Sequence, residues 1–106
     1  MQTIEKIQTI IDENPAVMLY FSAPTCSVCH VLKPKLLQAI DENFDKFKVV
    51  DVDVSLEQEI AGQYGVFALP TIIVFLDGKE FFRKSRNMSV SEVVDAIKRP
   101  YEIMMS

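Results

Sequence analysis

Two cysteines, Cys26 and Cys29, are the only ones in the 106-residue chain, and they stand in the run Cys26-Ser27-Val28-Cys29. A C-x-x-C spacing suits a redox-active dithiol, and a pair of inert buried thiols is the plainer alternative. Position decides between them. Ala16–Phe21 (AVMLYF) is almost wholly apolar and reads as a short strand covered on both faces. A turn over Ser22–Thr25 follows, and a helical pattern opens at Cys26. Cys26 then lies at a helix N-terminus, where unpaired N–H groups and the helix dipole favour thiolate over thiol. The thiolate is the species that attacks a disulfide, so Cys26 is the expected nucleophile. Cys29, one turn further and on the apolar side, is the expected resolving thiol. His30 is the only histidine and falls four residues after Cys26, on the same side of that helix. In protonated form it would stabilise the Cys26 thiolate; an exposed bystander is the plainer reading.

Other chemistries fit less well. Cys26, Cys29 and His30 supply three ligands where a structural zinc needs four, so no metal is expected. CSVCH also matches the c-type haem attachment pattern, with His30 and a methionine as conceivable axial ligands. Nothing else in the chain supports haem, and no cofactor is expected.

Eleven Lys and Arg against fifteen Asp and Glu give a net charge of −4, which argues against a nucleic-acid partner. No apolar stretch approaches the roughly 20 residues of a membrane span; Val66–Leu76 is short and interrupted by Pro70. The N-terminal run MQTIEKIQTIIDENP has neither a basic start nor a small-residue cleavage site, which points to a cytoplasmic, reducing setting. There, two cysteines are more often redox-active or metal-binding than a structural bridge. With 49% hydrophobic and 25% charged residues, the length suits one folded domain over 1–106.

The elements that must position the cysteines follow from periodicity. Ile4, Ile7, Ile10 and Ile11 mark a helix over 2–13, ended by Asn14-Pro15. The helix from Cys26 reaches about Asn43, with Cys29, Leu32, Leu36, Leu37 and Ile40 as its buried stripe and Pro34 predicting a bend. Phe47–Val54 reads as a strand whose Asp51 and Asp53 mark a wetter face or end. Leu56–Tyr64 reads as a short helix closed by Gly65. Thr71–Leu76 and Lys79–Lys84 form a hairpin through Asp77-Gly78. Ser89 caps a last helix carrying Val90, Val93, Val94 and Ile97, with Glu92 completing a capping box. Pro100 is expected to end or bend that helix, leaving Tyr101–Ser106 as an extension or a tail. The order α-β-α-β-α-β-β-α predicts an α/β fold, a small mixed sheet with helices on both faces.

These landmarks together resemble the thioredoxin family over most of the chain. The resemblance rests on Phe21-Ser-Ala-Pro-Thr-Cys-Ser-Val-Cys29, Pro34, Val52-Asp53, Tyr64-Gly-Val-Phe-Ala-Leu-Pro-Thr71 and Phe75-Leu-Asp-Gly78. It implies a thioredoxin fold with four strands, the family's usual first strand missing. Strand 47–54 would then form an edge, followed by 16–21, 71–76 and 79–84. It further implies a cis peptide before Pro70, a substrate strand pairing with the backbone of Leu69, and Cys26 and Cys29 as the catalytic dithiol. Departures are equally specific. Thr25 replaces the family's tryptophan, Ser27-Val28 its Gly-Pro, and Tyr20 the buried acid that helps deprotonate the resolving cysteine. Arg86 or Asn87 stands where the substrate groove has glycine, and Phe67 where a polar residue is usual. Val66, Phe67, Val28 and Met88 are candidates for an apolar rim, with Val66 more simply core.

The implied activity is thiol–disulfide exchange by a specialised, slow member, with Thr25, Ser27, Val28, Phe67, Leu69 and Pro70 contacting substrate. Expected partners are protein or small-molecule disulfides and a thiol reductant or reductase, with the chain monomeric or weakly dimeric through the edge strand. The alternative is a redox sensor or partner-binding module without efficient turnover. Use of glutathione in the manner of glutaredoxins is weaker, because the glycine pair after that family's cis-proline is absent.

Overall fold

A computed structural model describes residues 2–106. Its elements, in chain order, are α1 (Ile4–Glu13), β1 (Ala16–Ser22), α2 (Ser27–Asn43), β2 (Phe47–Asp53), α3 (Gln58–Gln63), β3 (Thr71–Leu76), β4 (Lys79–Ser85) and α4 (Val90–Met105). The four strands make one sheet in the order β2-β1-β3-β4. β1 runs parallel to β2 and antiparallel to β3, and β3 runs antiparallel to β4. This is the mixed sheet and strand order of the thioredoxin fold that the family resemblance implies.

The apolar run of β1 explains the layering. Ala16, Met18 and Tyr20 face a core shared with Cys29, Leu36, Ile40, Val93 and Ile97, under α2 and α4. Val17, Leu19 and Phe21 face the opposite core, with Ile7 and Ile11 of α1 and Ile60 of α3. Strand side chains alternate in direction, so only a strand buried on both faces can be apolar throughout. Six of its seven residues are buried. Of the stripe read on α2, Cys29, Leu36 and Ile40 are buried, while Leu32 and Leu37 are half-buried.

Local signals set most boundaries. Thr3 caps α1 by accepting the Lys6 N–H, and Asn14 ends it in an extended conformation before Pro15. Asp77 and Gly78 both take positive φ, 53° and 79°, as a two-residue hairpin turn of this hand requires. Ser89 and Glu92 form the reciprocal capping box.

The start of α3 differs from the reading, and the end of α4 decides between the two alternatives left open at Pro100. α3 begins at Gln58 rather than Leu56 because Asp53 captures the preceding chain. Its carboxylate accepts from the Ser55 N–H and hydroxyl, and its carbonyl accepts from the N–H groups of Leu56 and Glu57. A short polar side chain here offers the backbone a turn instead of a helix. At the other end, α4 does not stop at Pro100 but continues to Met105. Tyr101 holds the continuation: its ring packs on Phe44 and Phe47 with centroids 4.8 and 5.8 Å away, and its hydroxyl accepts the Lys46 N–H at 2.9 Å. α2 likewise continues through Pro34.

Candidate active site

β1 delivers the chain to the top of the sheet, and Ala23-Pro24-Thr25 turns it into α2. The turn closes with the Cys26 N–H donating to the Ala23 carbonyl at 3.0 Å. Cys26 is the N-cap of α2, and its Sγ accepts the backbone N–H of Cys29 at 3.2 Å. Cysteine thus occupies the position at which a serine or aspartate side chain usually satisfies a free N–H. The two cysteines are joined as a disulfide, with Cα atoms 5.3 Å apart. Their environments are unequal. Cys26 is half-buried, whereas Cys29 is 1% exposed and belongs to the core beneath α2.

Tyr20 lies under the pair. It is fully buried, and its hydroxyl donates to the Cys29 carbonyl at 2.9 Å. Burial, and then the charge of Asp51 directly across β2 in register, push its ionisation up to about 12. The group is therefore a neutral donor at physiological pH. Asp51 in turn is ion-paired with Lys33 of α2. The sequence marks Asp51 only as part of a wetter face; its tie to Lys33 spans two elements and carries no local signal.

His30 is exposed, and its Nε2 lies 3.1 Å from the Pro24 carbonyl. A carbonyl oxygen only accepts, so Nε2 carries a proton in this contact. The ring is thereby clasped to the turn that leads into Cys26.

The second arm of the site is the segment before β3. The Leu69–Pro70 peptide is cis. Pro70 is buried, and its carbonyl accepts the Arg86 N–H at 2.7 Å. Thr71 anchors the segment further through its hydroxyl, which donates to the Ala68 carbonyl at 2.7 Å and lies 2.8 Å from the Ser85 hydroxyl oxygen. Leu69 packs on the same core as Cys26 and Cys29, and no backbone hydrogen bond engages it among the described residues. Thr25, Ser27 and Val28 are exposed around Cys26, Phe67 is 90% exposed, Met88 is half-buried and Val66 is core.

A trough of about 710 Å³ runs from Ser27 and Val28 along α2 to the β4–α4 connection. It includes Val31 and Lys35, which the motif reading passed over. Their signal was present, since Val28, Val31, Leu32 and Lys35 recur at i, i+3, i+4 and i+7 on one helix face. No cluster of metal-ligating side chains is found among the described residues, and no helix there is long and apolar enough to cross a membrane.

A mixed four-stranded sheet whose central strand leads into a helix opening on a bonded C-x-x-C pair defines the thioredoxin-fold thiol–disulfide oxidoreductases. Comparison with known proteins agrees. The family model described as Thioredoxin matches residues 2–99. The thioredoxin-like protein YdfQ of Bacillus subtilis (strain 168) is 29% identical over 103 residues, covering 97% of this chain and 91% of the relative. Among solved structures, a mutant thioredoxin from Halobacterium salinarum NRC-1 aligns with a TM-score of 0.82 at 26% identity, over 95% of this chain and 87% of that one. Thioredoxin 1 from Thermosipho africanus aligns at 0.72 with 32% identity, over 85% of this chain and 99% of that one. The chain belongs to the thioredoxin family.

Proposed function

We propose that this chain is a specialised thioredoxin-type protein-disulfide oxidoreductase with a Cys-Ser-Val-Cys active site, working as one domain over residues 1–106 in a reducing, cytoplasmic setting. The observation that carries the reading is the inequality of the two sulfurs: a half-buried cysteine capping α2, bonded to one that is 1% exposed. In the reduced protein the Cys26 thiolate attacks a substrate disulfide. One substrate sulfur leaves as a thiolate and takes up a proton, and the other stays bonded to Cys26. Cys29 then loses its proton and attacks Cys26 Sγ, releasing the second substrate thiol and forming the Cys26–Cys29 bond. Two electrons pass from the dithiol to the substrate, and an external thiol reductant or reductase restores them. The dithiol is the redox group, and no further cofactor is required.

Leu69 offers its unengaged backbone to the substrate strand, and the buried Pro70 holds that segment in place. Thr25, Ser27, Val28 and Phe67 form the surface that meets the rest of the substrate. His30, held beside the turn, supports the Cys26 thiolate. Tyr20 makes the resolving step slow: it donates to the Cys29 carbonyl and is not a base. Self-association is confined to weak pairing along the edge strand β2.

Reduction of a protein disulfide such as insulin, with dithiothreitol as donor, tests the reading. Catalytic turnover that is abolished by Cys26→Ser, with a mixed disulfide accumulating in Cys29→Ser, is the expected result. A single round of oxidation without turnover would establish a redox sensor instead.

A further inference from the structure

The trough beside the cysteines combines apolar surface with charge. Its floor is apolar: Val28 and Val31 are 59% and 60% exposed, and Leu32 and Met88 continue the surface. Three charged side chains line it as well, Lys35, Arg86 and Glu92. Glu92 is already compensated, since Lys84 Nζ lies 3.3 Å from its carboxylate and the Ser89 N–H donates to it. Lys35 and Arg86 make no side-chain hydrogen bond or ion pair among the described residues. A chain of net charge −4 thus leaves two uncompensated cations over an apolar floor at its reactive end.

Arg86 also sits where its backbone disfavours it. Its φ is 66°, in the left-handed region. A side chain with a Cβ there costs on the order of 1 kcal/mol relative to glycine. The conformation is held by the Arg86 N–H donating to the Pro70 carbonyl at 2.7 Å. One hydrogen bond therefore ties this cation to the segment that carries Leu69. Strain kept at such a place points to a use for the side chain.

We propose that the trough selects polypeptide disulfides whose cysteine-bearing segment presents an apolar side chain to the Val28–Val31–Met88 floor and a carboxylate to Arg86. Apolar burial supplies affinity, and the guanidinium supplies a planar, two-pronged fit to the carboxylate. A small acidic disulfide such as glutathione disulfide has carboxylates but nothing for the apolar floor, so it gains little. The proposal rests on the oxidoreductase reading of the same site.

Four peptide disulfides test it, crossing Leu with Ser and Glu with Gln beside the half-cystine, each reduced by the full chain under single-turnover conditions. The Leu–Glu peptide is expected to react about fivefold faster than Leu–Gln at low salt, with the advantage shrinking as salt screens the pair. Leu is expected to exceed Ser in either charge context. In Arg86→Gln the Glu-to-Gln ratio falls to near one, while Lys48→Gln, on the opposite edge strand, retains it. Arg86→Gly is expected to lose the ratio and raise the thermal midpoint together, which a purely structural arginine would not do. A ratio of one in the native chain, with all four peptides reduced, overturns the proposal and leaves the oxidoreductase reading standing. If no peptide is reduced, that reading fails instead. The mixed-disulfide equilibrium of Cys29→Ser with the same peptides then still decides whether Arg86 selects the carboxylate.

Discussion

Tyr20 joins the chemistry of the site to the stability of the fold through one hydroxyl. It is fully buried and ionises only near pH 12, mainly because burial disfavours the phenolate and further because Asp51 lies opposite. An unfolded tyrosine ionises near pH 10. Between those values the unfolded chain has lost a proton that the folded chain keeps, so the native state binds more protons and stability falls as pH rises. This contribution is complete below pH 10 and is lost towards pH 12. Tyr20→Phe should therefore show a shallower alkaline loss of stability than the native protein in denaturant titrations across that range. The same hydroxyl bears on rate. Tyr20→Asp places a base near Cys29 and should speed decay of the Cys26 mixed disulfide in stopped-flow single turnovers; an unchanged rate would show that resolution is not limited by deprotonation. His30→Ala should move the appearance of the Cys26 thiolate, followed by its ultraviolet absorbance, to higher pH.

At the scale of elements, what was legible and what was not divides by range. Local signals carry their own physics. The Asp77-Gly78 turn, the Ser89–Glu92 box and the Asn14-Pro15 stop act within a few residues, and each is found where the sequence puts it. The placement of Cys26 and Cys29 is legible for the same reason, since a strand, a turn and a helix start are consecutive. Boundaries that the sequence misplaced or left open depend on partners far along the chain or on side chains competing for the backbone. Pro100 removes one helical hydrogen bond and by itself argues for an end. Its effect is outweighed by Tyr101, packed on Phe44 and Phe47 and bonded to Lys46, residues more than fifty positions earlier. Tyr101→Ala should accordingly cost about 3 kcal/mol and fray the last turns of α4, read as rapid amide exchange over 101–105. Tyr101→Phe, which keeps the ring and loses the hydrogen bond, should cost about 1 kcal/mol with the helix intact. The trough escaped motif reading on the same grounds. One wall is a helix face visible in sequence, and the other is the β4–α4 connection, brought opposite only by folding.

For the whole molecule, the redox reaction and the stability of the fold are linked. The Cys26–Cys29 bond closes a loop of four residues, short enough that the entropy it removes from the unfolded chain amounts to about 2 kcal/mol. When both thiols of the reduced protein are protonated, the oxidised form should be the more stable by about that amount. Raising the pH should narrow the difference. A thiolate at the α2 N-cap, accepting the Cys29 N–H that the sulfur already meets at 3.2 Å, stabilises only the reduced native state. The thermodynamic cycle then requires the folded dithiol to be more oxidising at neutral pH than at acid pH, relative to the same cysteines in an unfolded peptide. Urea unfolding of the oxidised and reduced proteins at pH 5 and pH 8 measures both sides of that cycle. A gap that stays constant between the two pH values would mean that the N-cap does not favour the thiolate. Attack by Cys26 would then depend on its exposure alone.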